Sequence, residues 1–231
     1  MKKLLSIFFL VSIFSTISSQ AQFRLGPAVG LNVATLSGTD ITVDPKIGWH
    51  AGLFFDVSLT KHLSIMPSVL YSTKGYKYEY ISTTSAEPID TSTGTATITA
   101  TVDVNATLGY LDVPALLTWY SGEHKGFMIQ VGPQLSYLIT DNATVNTSAT
   151  ISQNGQSPQP TTPSTSNKLE FHKTDLSLMG GIGYKLPALL MIYARASTGF
   201  GKVQDGDFIK DENAGHNFVI SVGAALVFGP K

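Results

Sequence analysis

The sequence contains no cysteine, which excludes disulfide bonds, thiolate metal sites and a lipid-anchored N-terminal cysteine. It is also poor in charge, because Asp, Glu, Lys and Arg make up 13% of its 231 residues, about half the share found in a typical soluble domain. The formal net charge is −1 and no cluster of basic residues is present, so we expect no nucleic-acid partner. With 43% hydrophobic residues, the chain is too apolar to be disordered.

The first 21 residues have the features of a secretory signal peptide. Two lysines precede an apolar run that ends near Ile17, and the small residues Ser19 and Ala21 stand just before a cleavage point ahead of Gln22. A charged start, a short apolar run and a small-x-small site define such a signal, and the run is shorter than the ~20 apolar residues of a membrane helix. We therefore predict that residues 1–21 are removed and that residues 22–231 form one domain.

From residue 23 onward, apolar residues alternate with small or polar ones at the two-residue period of β-strands. The first such segment places Leu25, Val29 and Leu31 on one face and Gly26 and Asn32 on the other. Eight segments show this pattern, and they begin close to Phe23, Gly48, Leu63, Tyr110, Phe127, Asp175, Leu190 and Asn217.

The less apolar face of these segments distinguishes two kinds of barrel. It consists mostly of Gly, Ala, Ser, Asn and Gln, which would be a poor coat for a water-soluble barrel such as a lipocalin. Small side chains instead suit the narrow interior of an eight-stranded barrel, and the apolar face then points outward to lipid. The sequence therefore predicts an all-β protein, an eight-stranded antiparallel up-and-down transmembrane β-barrel, in the bacterial outer membrane.

The connections between the eight segments alternate between short and long. Those after the second, fourth and sixth segments are tight turns, whereas the others are predicted as loops over about residues 37–46, 81–106, 140–171 and 201–215. Outer-membrane barrels have short periplasmic turns and long extracellular loops. Because an even number of strands brings both termini to the short-turn side, we predict that both termini are periplasmic.

Two of the predicted loops are candidates for contact with a surface partner. Residues 81–106 and 140–171 are rich in Thr, Ser and Ala, and residues 95–104 alternate enough to extend the third and fourth strands into a protruding ribbon. An exposed strand edge can pair with a strand of another protein. The alternative is that both loops are a solvated coat without a partner.

Aromatic residues on the apolar face lie near the predicted strand ends. Rings with a polar tip favour the membrane interface, so we predict an interfacial girdle, although strand propensity alone also favours aromatics. The girdle residues are Trp49, Tyr71, Trp119, Tyr137 and Tyr184.

Four prolines, Pro27, Pro67, Pro114 and Pro133, lie inside the predicted strands. A proline cannot donate to a strand ladder and is normally confined to edge strands, and a closed barrel has no edge. Bulges, which are frequent at barrel rims, would accommodate some of them.

Several ionisable residues fall on the inward face. We predict that Arg24, Asp56 and Lys185 form one cluster near the turn side, while Asp112, Asp175 and Arg195 lie higher and Lys74 lies near the outer rim. Buried charges must be paired to avoid a cost of several kcal/mol each, so we interpret these residues as a salt-bridged filling of the lumen. An ion path or gate is the alternative, which the narrow interior of eight strands disfavours.

No pattern in the sequence indicates catalysis. The five histidines are scattered without the spacing of a metal site, and neither a nucleophile elbow nor a phosphate-binding loop is present. We therefore expect a protein that is not an enzyme and binds no cofactor or metal. The alternative is a Ser/His/Asp arrangement at the rim, as in some larger lipid-cleaving or proteolytic barrels.

Three segments, Gly109–Leu117, Leu25–Asn32 and Ser68–Gly75, carry motifs of a known family. The first is similar to the Tyr-Leu-(Glu/Asp)-(Ile/Val)-Pro-Leu-Leu strand, the second to the opening strand and the third to the third strand of the PorT-like outer-membrane β-barrel proteins of Bacteroidetes. The resemblance implies an eight-stranded barrel with an architecture like that of OmpA and OmpX, and it implies no activity. Phe228 resembles the terminal aromatic that the outer-membrane insertion machinery recognises.

Two functions remain open at this point. The favoured one is a non-enzymatic outer-membrane barrel that serves envelope structure or surface interaction through its extracellular loops. The alternative is a narrow channel or an accessory component of a secretion or transport machine. The expected partners are the lipid bilayer, the insertion machinery during assembly, and an unknown surface partner at the two long loops.

Overall fold

The protein forms a closed ring of antiparallel strands. The computed structural model describes residues 22–37, 43–86, 96–153, 159–161, 170–187, 189–202, 204–205 and 215–229, so the predicted signal peptide lies outside the described residues. The strands are β1 (Phe23–Ser37), β2 (Asp44–Ser58), β3 (Leu63–Ala86), β4 (Ala96–Gly122), β5 (Lys125–Gln153), β6 (Thr174–Lys185), β7 (Leu190–Lys202) and β8 (His216–Leu226).

Each strand pairs with its neighbours in sequence, and β8 pairs with β1 to close the ring. The predicted eight-stranded antiparallel up-and-down barrel is confirmed. Three short strand segments, Gln159–Thr161, Glu170–Phe171 and Gln204–Asp205, lie within the connections between β5 and β6 and between β7 and β8. The described residues include no helix with the length and hydrophobicity needed to cross a membrane.

Side chains alternate between the lumen and the outside along the strands, as the alternation in the sequence predicts. On β1, Leu25 and Val29 are 40% and 58% exposed, whereas Arg24 and Asn32 are 6% and 2% exposed. Exposed Leu, Ile or Val residues occur on all eight strands, so the outside of the ring is apolar. Exposing this apolar surface to water would be unfavourable, whereas lipid solvates it.

The aromatic residues predicted as a girdle border this apolar surface. Trp49, Trp119, Tyr137 and Tyr184 are exposed, and the ring of the half-buried Tyr71 packs 5.3 Å from that of Trp49. Along β4, the separation of Trp119 from the residue paired with Tyr71 is about 26 Å at ~3.3 Å per residue. With a strand tilt of ~40° this gives roughly 20 Å across the membrane, close to the ~25 Å apolar band of such barrels.

Pro27 lies at an interruption in the ladder between β1 and β8. Leu25 and Phe228 exchange two backbone hydrogen bonds of 2.8 Å, and the pairing resumes with Ala28 opposite Ala225. Pro27, which has no N–H, therefore lies in the unpaired stretch between the Leu25–Phe228 and Ala28–Ala225 pairs. Its other neighbour, β2, pairs with it normally, opposite Leu53.

The other three prolines lie at equivalent interruptions, each on one side of its strand. For Pro67, the interruption lies between the Phe54–Ser68 and Val57–Ile65 pairs. For Pro114, it lies between the Pro67–Ala115 and Leu70–Asp112 pairs. For Pro133, it lies between the Pro114–Gln134 and Leu117–Val131 pairs. The register is the same on both sides of every interruption, so bulges are not the explanation. The barrel instead omits ladder bonds locally where a proline has no N–H to donate.

Strands β3, β4 and β5 continue well beyond the rest of the barrel. Residues 81–86, 96–106 and 140–153, which we predicted as loop, are strand. The predicted ribbon of two strands is therefore a sheet of three long strands, because β5 pairs with β4 up to Gln153 opposite Ala96. The short segment Gln159–Thr161 pairs with β5 as a fourth strand. We call this part of β3, β4 and β5, from Gly75, Thr107 and Asn142 outward, the loop-side sheet.

One face of the loop-side sheet is buried in a second hydrophobic core. Tyr76, Val104, Leu108 and Tyr110 are each at most 2% exposed, and Phe171 packs against them from the connection after β5. The sheet is thus fixed above the barrel mouth by apolar packing, and its opposite face is left for solvent.

Candidate functional site

An ionic cluster closes the turn-side end of the lumen. Arg24 Nε donates to Asp56 Oδ2 at 3.1 Å. Its Nη2 lies 3.1 Å from the same oxygen and donates to Ser58 Oγ at 2.9 Å. Lys185 Nζ lies 3.8 Å from Asp56 Oδ2, and the Tyr120 hydroxyl donates to the same oxygen at 3.3 Å. The structure therefore brings Arg24, Asp56 and Lys185 together, with β1, β2, β4 and β6 tied across the lumen.

Apolar side chains fill the lumen beside and above this cluster. Phe54, Met66, Leu116, Met128 and Met191 are each at most 2% exposed and belong to one packed core. A continuous water path along the lumen would have to pass between these closely packed side chains.

A pair of opposite charges lies higher in the lumen. Lys74 Nζ donates to Asp112 Oδ1 at 2.9 Å and to Ser136 Oγ at 3.1 Å. Lys74 is 4% exposed and directly precedes Gly75, where the loop-side sheet begins. Its side chain points into the barrel, where pairing with Asp112 offsets the cost of burying the ammonium.

Arg195 and Asp175 occupy the same region without contacting each other. Arg195 Nε donates to Gln130 Oε1 at 2.9 Å, and its guanidinium lies 3.9 Å from the centre of the Tyr193 ring. Asp175 Oδ2 accepts a hydrogen bond from Asn217 Nδ2 at 3.1 Å. Arg195 and Asp175 thus use neutral partners that the sequence analysis did not assign, whereas Asp112 pairs with Lys74.

His50 links two walls of the lumen. Its Nδ1 lies 2.8 Å from Asn32 Oδ1 and its Nε2 lies 2.8 Å from the Tyr193 hydroxyl. A cavity of about 20 Å³ next to His50 is also lined by Lys74, Asp112 and Arg195 among others. A cavity of this size holds about one water molecule, so the lumen has no space for a larger ligand there.

Packed side chains occupy the lumen at three levels. The ionic cluster closes the turn side, the apolar core fills the middle, and the second hydrophobic core covers the loop side. Within the described ranges, no three His, Asp or Glu residues are grouped so that they could hold a metal ion.

Two lysines, Lys46 and Lys77, form a pair on the outside of the loop-side sheet, and the alternation of apolar and polar residues in the sequence did not predict it. Lys46 Nζ donates to Asn105 Oδ1 at 2.6 Å, to the Ala106 carbonyl at 3.2 Å and to Thr107 Oγ1. Its stem crosses β3 over Gly75, where a Cβ would lie 3.1 Å from Lys46 Cδ. An irregularity of register between β2 and β3 permits this crossing, whereas simple alternation groups Lys46 with inward-facing residues.

The second member of the pair is Lys77, which is exposed and lies directly opposite Asn105 in the ladder between β3 and β4. Both lysines therefore lie next to Asn105, Lys46 through its ammonium and Lys77 as the ladder partner. Burial lowers the pKa of Lys46, and the positive charge of Lys77 lowers it further. The hydrogen-bond partners of Lys46 are neutral oxygens.

Comparison with known proteins gives one family match. Residues 18–205 match the family described as outer membrane protein beta-barrel domain, and the comparison with curated proteins found no match. Among solved structures, the chain is similar to Ail, the attachment invasion locus protein of Yersinia pestis, at 11% identity and a TM-score of 0.45, over 89% of this chain and 98% of that one.

Two further solved structures resemble the chain. Neisserial surface protein A is 14% identical with a TM-score of 0.42, over 89% of this chain and 97% of that one. OprG from Pseudomonas aeruginosa is 13% identical with a TM-score of 0.39, over 91% of this chain and 96% of that one. Since the family match covers most of the sequence, the chain belongs to the outer membrane protein β-barrel domain family and is an integral protein of the outer membrane.

Proposed function

We propose that the protein is a non-enzymatic outer-membrane barrel that serves envelope structure or surface interaction through its loop side. The observation that carries this proposal is the loop-side sheet, which stands beyond the barrel and is fixed by its own hydrophobic core. In this proposal the short turns and both termini face the periplasm, so that the sheet stands at the cell surface.

The outward face of the loop-side sheet is rich in hydrogen-bonding groups. Successive rows across β3, β4 and β5 are Lys77–Asn105–Thr144, Glu79–Asp103–Asn146 and Ile81–Thr101–Ser148. Their hydroxyl, amide and carboxylate groups can bond a partner at the cell surface. In addition, no described residue pairs with β3 beyond Lys77 on the side of β2, and such an edge accepts a strand of another protein.

The filled lumen argues against a narrow channel. Ion passage would require the ionic cluster around Asp56 and the apolar residues above it to separate. The non-enzymatic assignment is supported by the way the charged lumen residues are used, because Arg24, Asp56, Lys74 and Asp112 pair with one another inside a closed space.

Several finer assignments belong to the same proposal. The Gly109–Leu117 motif supports placement among the PorT-like barrels of Bacteroidetes. The composition of residues 1–21 supports export by a cleaved signal peptide. Phe228, which closes the ring by bonding Leu25, fits recognition by the insertion machinery during assembly.

The absence of cysteine from the chain permits a direct test of orientation and surface contact. Thr101→Cys on the loop-side sheet should react with a membrane-impermeant maleimide on intact cells, whereas Lys125→Cys at a tight turn should react only after permeabilisation. A photo-crosslinking amino acid at Asn146 should then give adducts of defined mass, and the same group at Lys125 should not.

The labelling and the crosslinking can each contradict a different part of the proposal. Labelling of Lys125→Cys but not of Thr101→Cys on intact cells would reverse the orientation. Correct labelling without any adduct from position 146 would contradict surface interaction and leave a purely structural role in the envelope.

A further inference from the structure

The border between the apolar surface and the loop-side sheet carries the lysine pair, Lys46 and Lys77. On β2 this border is sharp, because Ile47 is 75% exposed and the adjacent residue on the loop side is Lys46. Below it, on the same outward surface, Trp49 and Tyr71 form the aromatic contact of the girdle. Aromatic rings and cationic side chains together are the residues by which membrane proteins anchor at the headgroup level.

The position of Lys46 is built into the sheet. Three acceptors hold its ammonium, the Asn105 and Thr107 side chains and the Ala106 carbonyl. Gly75 leaves the gap through which its stem passes, since a Cβ there would approach Lys46 Cδ to 3.1 Å. The charge is therefore held in place before any ligand arrives, which lowers the entropic cost of binding.

The charges around the pair change sign away from the membrane. Asp44 lies opposite Lys77 on β2, so two lysines face one carboxylate at this level. In the next row outward, Glu79 lies opposite Asp103. The positive charge thus lies at the lipid border and the negative charge lies beyond it, which favours an anion that belongs to the membrane.

We propose that Lys46 and Lys77 form a binding site for the phosphate of a phosphomonoester lipid headgroup in the leaflet around the loop side. The site is continuous with the lipid-facing surface of the barrel, so the acyl chains of the bound lipid lie against the apolar side chains below Trp49. The ammonium of Lys77 and the fixed positive charge of Lys46 attract the phosphate, and Asn105 and Thr107 supply further hydrogen-bonding groups next to them.

The two tryptophans of the chain allow the lipid composition to be measured at each border separately. Trp119→Phe leaves Trp49 as the reporter of the loop side, and Trp49→Phe leaves Trp119 as the reporter of the turn side. Each variant is reconstituted into phosphatidylcholine bilayers in which either a brominated phosphatidate or a brominated phosphatidylcholine quenches tryptophan fluorescence.

We expect brominated phosphatidate to associate at Trp49 roughly threefold to tenfold more strongly than brominated phosphatidylcholine, with no preference at Trp119. The preference at Trp49 should weaken as salt is raised and should disappear in Lys46→Gln/Lys77→Gln. It should persist in Lys46→Arg/Lys77→Arg, which keeps both charges, and in the matched control Lys61→Gln at a turn.

The proposal is overturned if the glutamine double variant keeps the full preference or if no preference is seen at Trp49. Mobility of unboiled against boiled protein on a gel shows that each variant is folded, and the arginine variant maintains the test if the glutamine variant does not fold. An excess of inorganic phosphate that removes the preference would identify free phosphate, rather than the lipid, as the occupant.

Discussion

Asp56 is the acceptor that holds the turn-side end of the lumen together. One of its oxygens accepts hydrogen bonds from Arg24 and Tyr120 and lies 3.8 Å from Lys185 Nζ, and its side chain is 1% exposed. Removing one partner of a buried ion pair leaves the other charge unpaired in a medium of low dielectric constant. The cluster is therefore a place where single substitutions and paired substitutions should differ strongly.

A double-mutant cycle on Arg24→Ala and Asp56→Ala tests this expectation. Each single substitution should lower the free energy of unfolding by about 3–5 kcal/mol, and the double variant should lose clearly less than the sum of the two. Urea unfolding in lipid vesicles gives the free energies. The matched control is the exposed pair Lys61 and Glu123, whose side chains are 79% and 64% exposed and for which we expect no measurable coupling.

Additive losses at Arg24 and Asp56 would show that these residues act independently and that the turn-side cluster is not a unit. Coupling of similar size in the exposed control pair would instead point to an effect of charge on the unfolded state.

At the scale of single strands, the four prolines mark where the ladder omits hydrogen bonds. Pro133 lies at an interruption on the side of β4 while remaining paired with Leu178 on β6. Two residues earlier, Val131 is paired on both sides, with Leu117 and Gly180. The same strand therefore contains one position that tolerates proline and a nearby position that should not.

We expect Pro133→Ala to change the free energy of unfolding by no more than about 1 kcal/mol. The ladder already lacks a hydrogen bond at this position on the side of β4, so the substitution removes none. Val131→Pro removes a donor from a position that is paired on both sides and should cost ~3 kcal/mol or more, or prevent folding. The folded fraction on unboiled gels and urea midpoints measure both. Equal effects of the two substitutions would contradict the assignment of the interruptions.

The strands differ in how well their sequence predicts them. β1 was predictable because apolar and small residues alternate along it, from Leu25 to Val33. Residues 140–153 were not recognised as strand, because Thr, Ser and Asn occur on both faces and hydropathy does not alternate there. Beyond the membrane, neither face of a strand needs to be apolar unless it is packed.

The lumen site was predictable only in part, for a geometric reason. Alternation along a strand tells which side chains point inward, and position along the strand tells their height. Neither tells which residue lies across the lumen. Arg24 and Asp56 are direct ladder partners, so their contact follows from strand order, whereas Arg195 bonds Gln130 on β5 and Asp175 bonds Asn217 on β8.

For the whole molecule, the closed lumen predicts electrical silence. The folded protein should give no steady conductance steps in planar bilayers, because the ionic cluster and both hydrophobic cores lie across the ion path. The same sample must show heat-modifiable gel mobility, so that silence is not caused by unfolded protein. Uniform single-channel steps that vanish after heat unfolding would overturn the closed lumen and favour a channel.

The continuity of β3, β4 and β5 has a mechanical consequence. From Lys77 to Ala86, β3 extends about 30 Å beyond its last pair with β2, and the same chains continue unbroken down the barrel wall. A force applied at the tip is therefore carried along the strand axes, where many backbone hydrogen bonds resist together in shear. A partner bound at the tip of the loop-side sheet would therefore transmit its pulling force to the entire wall of the barrel, whereas a flexible loop would extend first.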